Sequence, residues 1–168
     1  MVFISYKRED APLLEELTER LHEAGISYWM DSSIEDGEDW KQAIDNAIEQ
    51  NPVMLVVVTP ASILSTYVTY EWAFALGLGR KVIPLIYEFP DPTNENHPKE
   101  IHPRLHEYQR IDFTVPEKRD WERLIKSVST IHAEEDIPDE IKDAARQIKH
   151  TQIEIREPAF EFLENYPH

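Results

Sequence analysis

Short runs of apolar, β-rich residues alternate along the chain with longer segments in which apolar residues recur every three or four positions. "VFISY" (2–6) opens as a strand, and "APLLEELTERLHEAG" then places Leu13, Leu14, Leu17, Leu21 and Ala24 on one helical face before stopping at Gly25. "ISYWMD" (26–31) is the second strand. After a loop with an Asp36-Gly37 turn, "EDWKQAIDNAIEQN" gives a second helix that buries Trp40, Ile44, Ala47 and Ile48, with acidic residues in the first turn, where the helix dipole favours them. "PVMLVVVTP" (52–60) has no polar alternation, as a central parallel strand covered on both faces requires. "SILSTYVTYEWAFALGL" (62–78) is the third helix, entered through an irregular turn at residues 60–65 with Ser65 or Thr66 as N-cap and ended by Gly77 and Gly79. "KVIPLIY" (81–87) is the fourth strand, a Pro-, Asn- and Asp-rich loop runs to about His106, "YQRIDFT" (108–114) is the fifth strand, and "WERLIKSVSTI" (121–131) is the last helix.

This order, βαβαβαβ, a long loop, then βα, predicts an α/β fold with a five-stranded parallel sheet, right-handed crossovers and helices on both faces. Residues 1–131 make one such domain. Residues 132–168 form a C-terminal extension in which "IPDEIKDAARQIKH" suits a helix and "TQIEIRE" a strand without a partner in a finished sheet. The extension reads as either a linker or the start of a further domain.

Composition narrows the partners. With 17 Lys and Arg against 33 Asp and Glu, the net charge is −16. Such a field repels phosphate backbones, which argues against nucleic acid or an anionic bilayer as a partner of the whole surface. Zero Cys excludes disulfides and thiolate chemistry. Met1 runs straight into "VFISY" without a basic stretch, and "VMLVVV" falls far short of a membrane span, so the expectation is a cytoplasmic protein without signal peptide.

In open α/β sheets, ligands bind outside the carboxyl ends of the strands, near the point where strand order reverses. Residues 5–10, 31–37, 59–66 and the loop from Glu88 arrive there. Glu71, in the first two turns of the third helix, lies close to this rim and shares a helical face with Tyr67, four residues earlier. Position alone leaves two readings of Glu71: a surface carboxylate, or a group placed to act on a ligand. Neither G-x-x-x-x-G-K-[ST] nor G-x-G-x-x-G follows the first strand, and "VVVTP" has no phospho-acceptor Asp at the end of the third. His97, His102 and His106 fall in a loop broken by Pro98 and Pro103, so no metal site is expected.

"VFISYKRED", "ISYWMDSSIEDGEDWKQAIDNAIEQ" and "VVVTPASILSTYVTYEWAFAL", in this order and spacing, resemble a Toll/interleukin-1 receptor (TIR) domain, and most of all its prokaryotic NAD-cleaving members. The resemblance covers about residues 1–131. It implies a flavodoxin-like three-layer fold and, for many relatives, cleavage of NAD+ at the nicotinamide-ribose bond. Their catalytic Glu follows a pattern like S-x-W-C-x-x-E. Here the matching stretch is "STYVTYE": Ser65 matches, Tyr67 stands at the Trp position, Val68 replaces Cys, and Glu71 falls on the catalytic position.

On this resemblance Glu71 is the catalytic residue, Tyr67 packs on the nicotinamide or ribose, and Ser5, Tyr6, Lys7 and Arg8 line the rim, with Lys7 or Arg8 a natural diphosphate partner. Asp31, Ser32 and Trp40 complete the candidate set. NAD+ is then a substrate, and neither a cofactor nor a metal is called for. The resemblance also implies self-association with other TIR domains, with residues 32–39 bridging subunits, a role in prokaryotic immune defence, and a fused or associated sensor domain. Two other classes fit similar residues: a non-enzymatic TIR adaptor, whose animal members generally lack the matching Glu, and a nucleoside deoxyribosyltransferase on a similar fold.

Overall fold

The apolar run Val53–Val58 becomes the central strand of one parallel sheet whose strands are β1 (Val2–Ser5), β2 (Tyr28–Trp29), β3 (Val53–Val58), β4 (Lys81–Ile86) and β5 (Ile111–Asp112). They lie in the order β2-β1-β3-β4-β5, every neighbouring pair parallel. This is the predicted flavodoxin-like α/β sheet. The computed structural model describes residues 1–30, 40–91, 93–95, 97–98 and 100–130, with the backbone alone at Trp40, His106 and Glu107. Asp31, Ser32, the rest of the loop through Asp39, the Trp40 side chain and the extension at 132–168 therefore lie outside the described residues.

Side chains of β3 alternate between two cores. Met54, Val56 and Val58 face α2 (Trp40–Gln50) and α4 (Thr66–Gly77), meeting Ile44, Ile48, Val68, Trp72 and Phe74. Val53, Leu55 and Val57 face α1 (Leu14–Glu23) and α6 (Trp121–Ser129), meeting Leu17, Leu21, Phe113 and Leu124. A strand covered on both sides has no place for polar alternation, which is why this segment reads as unbroken apolar residues.

Local departures from the sequence reading have identifiable causes. Residues Arg8–Leu13 form a 3-10 helix that contains Pro12, and α1 begins only at Leu14. Three residues per turn instead of 3.6 carry Leu13 off the buried face, and it is exposed, as is Ala24 at the C-cap. Gly25 supplies the positive φ of 69° that turns the chain into β2. The expected irregular turn before the third helix is instead a single helical turn, α3 (Pro60–Ile63), closed by a reciprocal cap between Thr59 and Ser62. Ser65 then caps α4, its hydroxyl accepting the Val68 N–H. Pro103 does not break a helix; it occupies the first turn of α5 (Pro103–Glu107), where its missing N–H costs nothing, and His102 is the N-cap.

The carboxyl edge of the sheet is laced across the point where strand order reverses, between β1 and β3. Asp10 is buried and accepts a hydrogen bond of 2.7 Å from the Thr59 hydroxyl, so the segment after β1 is tied to the cap of α3 after β3. Burial pushes the Asp10 carboxyl above its ordinary value of 3.8; the Thr59 bond works against the rise, and the Glu9 and Glu88 carboxylates add to it.

Two stability predictions follow from this packing. Leu17→Ala should cost about 2–5 kcal/mol in chemical denaturation, whereas Leu13→Ala should stay within about 0.5 kcal/mol, although the two share a face by simple helical spacing. Because native Asp10 holds its proton more tightly than the unfolded chain does, its favourable contribution is complete below about 3.8 and is lost as pH rises through the native value. Asp10→Asn keeps an acceptor for Thr59 without the charge. Its melting temperature should equal or exceed wild type at neutral pH, with the advantage vanishing below about 3.8; a large loss at neutral pH would contradict this account.

Candidate functional site

Period two along β1 sends Val2 and Ile4 into the α1/α6 core and Phe3 to the α2/α4 side. Ser5 follows Phe3 in the alternation and reaches the same side at the carboxyl end of the strand. It is fully buried, at 0% exposure. The Ser65 cap fixes where α4 starts, and its second turn brings Glu71 over the end of β1. There the Ser5 hydroxyl donates to Glu71 Oε2 at 2.5 Å across 66 residues of chain. Glu71 itself is only 8% exposed. A carboxylate this deep is costly unless it is bonded, and a short bond from a hydroxyl to an ionised oxygen is among the stronger ones available.

Tyr67, one turn earlier on α4, is 57% exposed and stands at the rim. Lys7 is half-buried and Arg8 exposed in the segment that leaves β1. Tyr6 is half-buried and packs against the α1/α6 core, on the opposite face of the sheet from the core that α4 enters. The structure thus brings Ser5 and Glu71 into contact, keeps Tyr67 on the same helix, puts Lys7 and Arg8 at the same edge, and turns Tyr6 the other way. Asp31, Ser32 and the Trp40 side chain lie outside the described residues.

A further buried carboxylate is missing from the set the sequence points to. Asp45 of α2 is 2% exposed and accepts from the Tyr70 hydroxyl at 2.5 Å. Tyr70 precedes Glu71 and stacks on Phe74 with ring centroids 5.7 Å apart, so this pair fastens α2 to the helix that carries Glu71. The available signal was the position of Asp45 between Ile44 and Ile48, at the margin of a face already assigned to the core. His102, which the sequence places in a loop, is half-buried: its ring lies 5.0 Å from that of Trp72, and its Nδ1 accepts the Arg104 N–H. Among the described residues no group of three or more His, Asp or Glu could hold a metal ion. Nor is any described helix long and apolar enough to cross a membrane.

The arrangement is a buried, oriented carboxylate at the carboxyl edge of a parallel sheet, with an exposed aromatic ring one turn earlier on its helix and two cations in the segment that leaves β1. It can stabilise positive charge developing on a neighbouring group, and it holds its oxygen in place beforehand.

Comparison with solved structures agrees with the topology. The TIR domain of the Toll-related receptor TRR-2 from Hydra magnipapillata superposes with a TM-score of 0.64 at 22% identity, over 77% of this chain and 98% of that one. A 2-deoxyribosyltransferase from Bacillus psychrosaccharolyticus superposes with a TM-score of 0.50 at 14% identity, over 74% of this chain and 89% of that one. At these identities both likenesses concern the fold. No curated protein matches the chain. The TIR domain profile matches residues 2–125, from the first strand into the last helix, and the chain belongs to the TIR domain family.

Proposed function

We propose that this domain is an NAD+ nucleosidase of the prokaryotic TIR type, with Glu71 as its catalytic carboxylate. The observation that carries the reading is the burial of Glu71 at the carboxyl edge with its Oε2 held by Ser5. A surface carboxylate needs neither. Fold likeness to a protein named as a 2-deoxyribosyltransferase adds that this architecture suits chemistry at a sugar-base bond.

In the proposed reaction the bond between ribose C1′ and the nicotinamide nitrogen breaks, and its electron pair stays on the ring, which leaves as neutral nicotinamide. The sugar becomes an oxocarbenium-like cation, which the Glu71 carboxylate stabilises or briefly bonds. Water adds to C1′ and loses a proton to give ADP-ribose, or a nucleophile of the same molecule, such as an adenine nitrogen, attacks C1′ and the product loses a proton to give a form of cyclic ADP-ribose. No general acid is required, because the leaving group departs uncharged. Tyr67 offers a ring face to the nicotinamide or ribose, and Lys7 or Arg8 offers charge to the diphosphate. Residues 1–131 form the working unit, and clustering with other TIR domains in the cytoplasm, driven by a fused or associated sensor, switches the activity on during defence.

A scaffold reading has one observation in its favour. Leu64 and Tyr67, 61% and 57% exposed, both stand where α3 meets α4, so large apolar side chains face solvent at a corner that could seat another protein.

NAD+ turnover by protein clustered on beads separates the readings. Wild type should release nicotinamide, and Glu71→Ala should reduce the rate by at least about a hundredfold without lowering the melting temperature enough to unfold the domain. Clustered wild type that leaves NAD+ untouched would instead favour the scaffold. Tyr67→Ala should raise KM about three- to tenfold, the worth of one stacking contact, while Tyr67→Trp should restore it.

A further inference from the structure

We infer that Ser5 is the positioning residue for Glu71: its hydroxyl orients the carboxylate and holds it in the ionised form, and it does not contact substrate. The inference builds on the proposed role of Glu71. A serine hydroxyl has one proton to donate, and in this structure that proton is directed at Glu71 Oε2, 2.5 Å away. With 0% exposure, Ser5 has no surface to offer a ligand. Its neighbours in the strand, Val2, Phe3 and Ile4, are all apolar and buried, so an apolar residue would suit position 5 on packing grounds alone. A hydroxyl buried here costs about 1–3 kcal/mol unless it is bonded, and it finds its partner in Glu71.

The surroundings make this bond significant. Helix α4 packs against β1, β3, β4, α2 and α3. β1, β3 and α3 carry no titratable side chain. On β4, Lys81 sits at the far end of the strand with its ammonium on the carbonyls of Ser127 and Thr130. α2 contributes Lys41, Asp45 and Glu49, of which Asp45 is buried and bonded by Tyr70. His102 lies against Trp72, and Tyr6, Lys7 and Arg8 follow β1 at the rim. The Ser5 side of this bond is anchored in the sheet itself, as the last residue of β1.

Hydrogen bonding to the charged form favours that form, so loss of the Ser5 hydroxyl should move the titration of Glu71 upward. The test is carboxyl 13C NMR on the full chain labelled at glutamate, with the Glu71 signal assigned by its absence in Glu71→Gln. In Ser5→Ala the midpoint should rise by roughly one unit. Ser5→Cys, similar in size but a weak donor, should fall between and serves if the alanine variant is poorly folded. Equal midpoints in wild type and both variants would overturn the inference. In the clustered NAD+ assay, Ser5→Ala should lower kcat ten- to hundredfold, leave KM within about twofold, and shift the acidic limb of the pH profile upward. A midpoint that shifts in a protein inactive toward NAD+ would defeat the proposed activity and sustain the Ser5–Glu71 coupling. An active wild type whose midpoint and acidic limb ignore Ser5→Ala would do the reverse.

Discussion

Burial of β3 along both faces is the constraint on which the rest of the molecule depends. Every residue from Val53 to Val58 is within 2% of full burial, so neither face of the sheet center is open to a ligand. A ligand can approach this part of the sheet only at its edges. The βαβ connections turn at the carboxyl edge, and the two strands flanking the reversal of order, β1 and β3, deliver Ser5 and Thr59 there. The location of the candidate site is thus a consequence of how the core is covered.

Three polar ties join elements distant in sequence: Ser5 to Glu71 and Thr59 to Asp10 at that edge, and Tyr70 to Asp45 between α4 and α2. Each pairs a hydroxyl donor with a buried carboxylate. A hydroxyl serves where a lysine or arginine would bring a second desolvation cost, and it restrains the carboxylate's geometry without neutralising it. The ties differ in consequence. Asp10 is driven toward its neutral form by burial and neighbouring carboxylates, which suits a structural latch, whereas Glu71 lies one helical turn past the exposed Tyr67. Two carboxylates on the same edge therefore sit in different surroundings.

The opposite edge carries a different chemistry. Arg80 donates to the Glu49 carbonyl near the end of α2, and Lys81 to carbonyls at the end of α6, placing cations where helix dipoles leave negative charge. On the α1/α6 face, Arg119 pairs with Glu16 and lies 5.0 Å from the Tyr87 ring centroid. The Tyr87 hydroxyl is buried without a hydrogen-bond partner among the described residues, and burial pushes its pKa up to about 12, with Arg119 opposing the rise and Glu16 adding to it. These contacts tie helices to the sheet away from Glu71.

Hydrophobic periodicity by itself determined the order of the elements, and the βα alternation with an unbroken apolar run at Val53–Val58 implied a parallel sheet covered on both faces; for the start of α4 the sequence offered Ser65 or Thr66 as N-cap, and the structure selects Ser65. The match of "STYVTYE" to a family pattern also singled out Glu71 without coordinates. Local spacing failed where a 3-10 turn or a proline at a helix start changed the phase, as at Leu13 and Pro103. It could not say that Glu71 is buried, that Ser5 is its donor, that Tyr6 turns to the other face, or that Asp45 and Asp10 are inside. Those facts join residues 66, 25 and 49 positions apart. They depend on which strand lies beside which and how each helix is rotated on the sheet, and only the packed structure decides that.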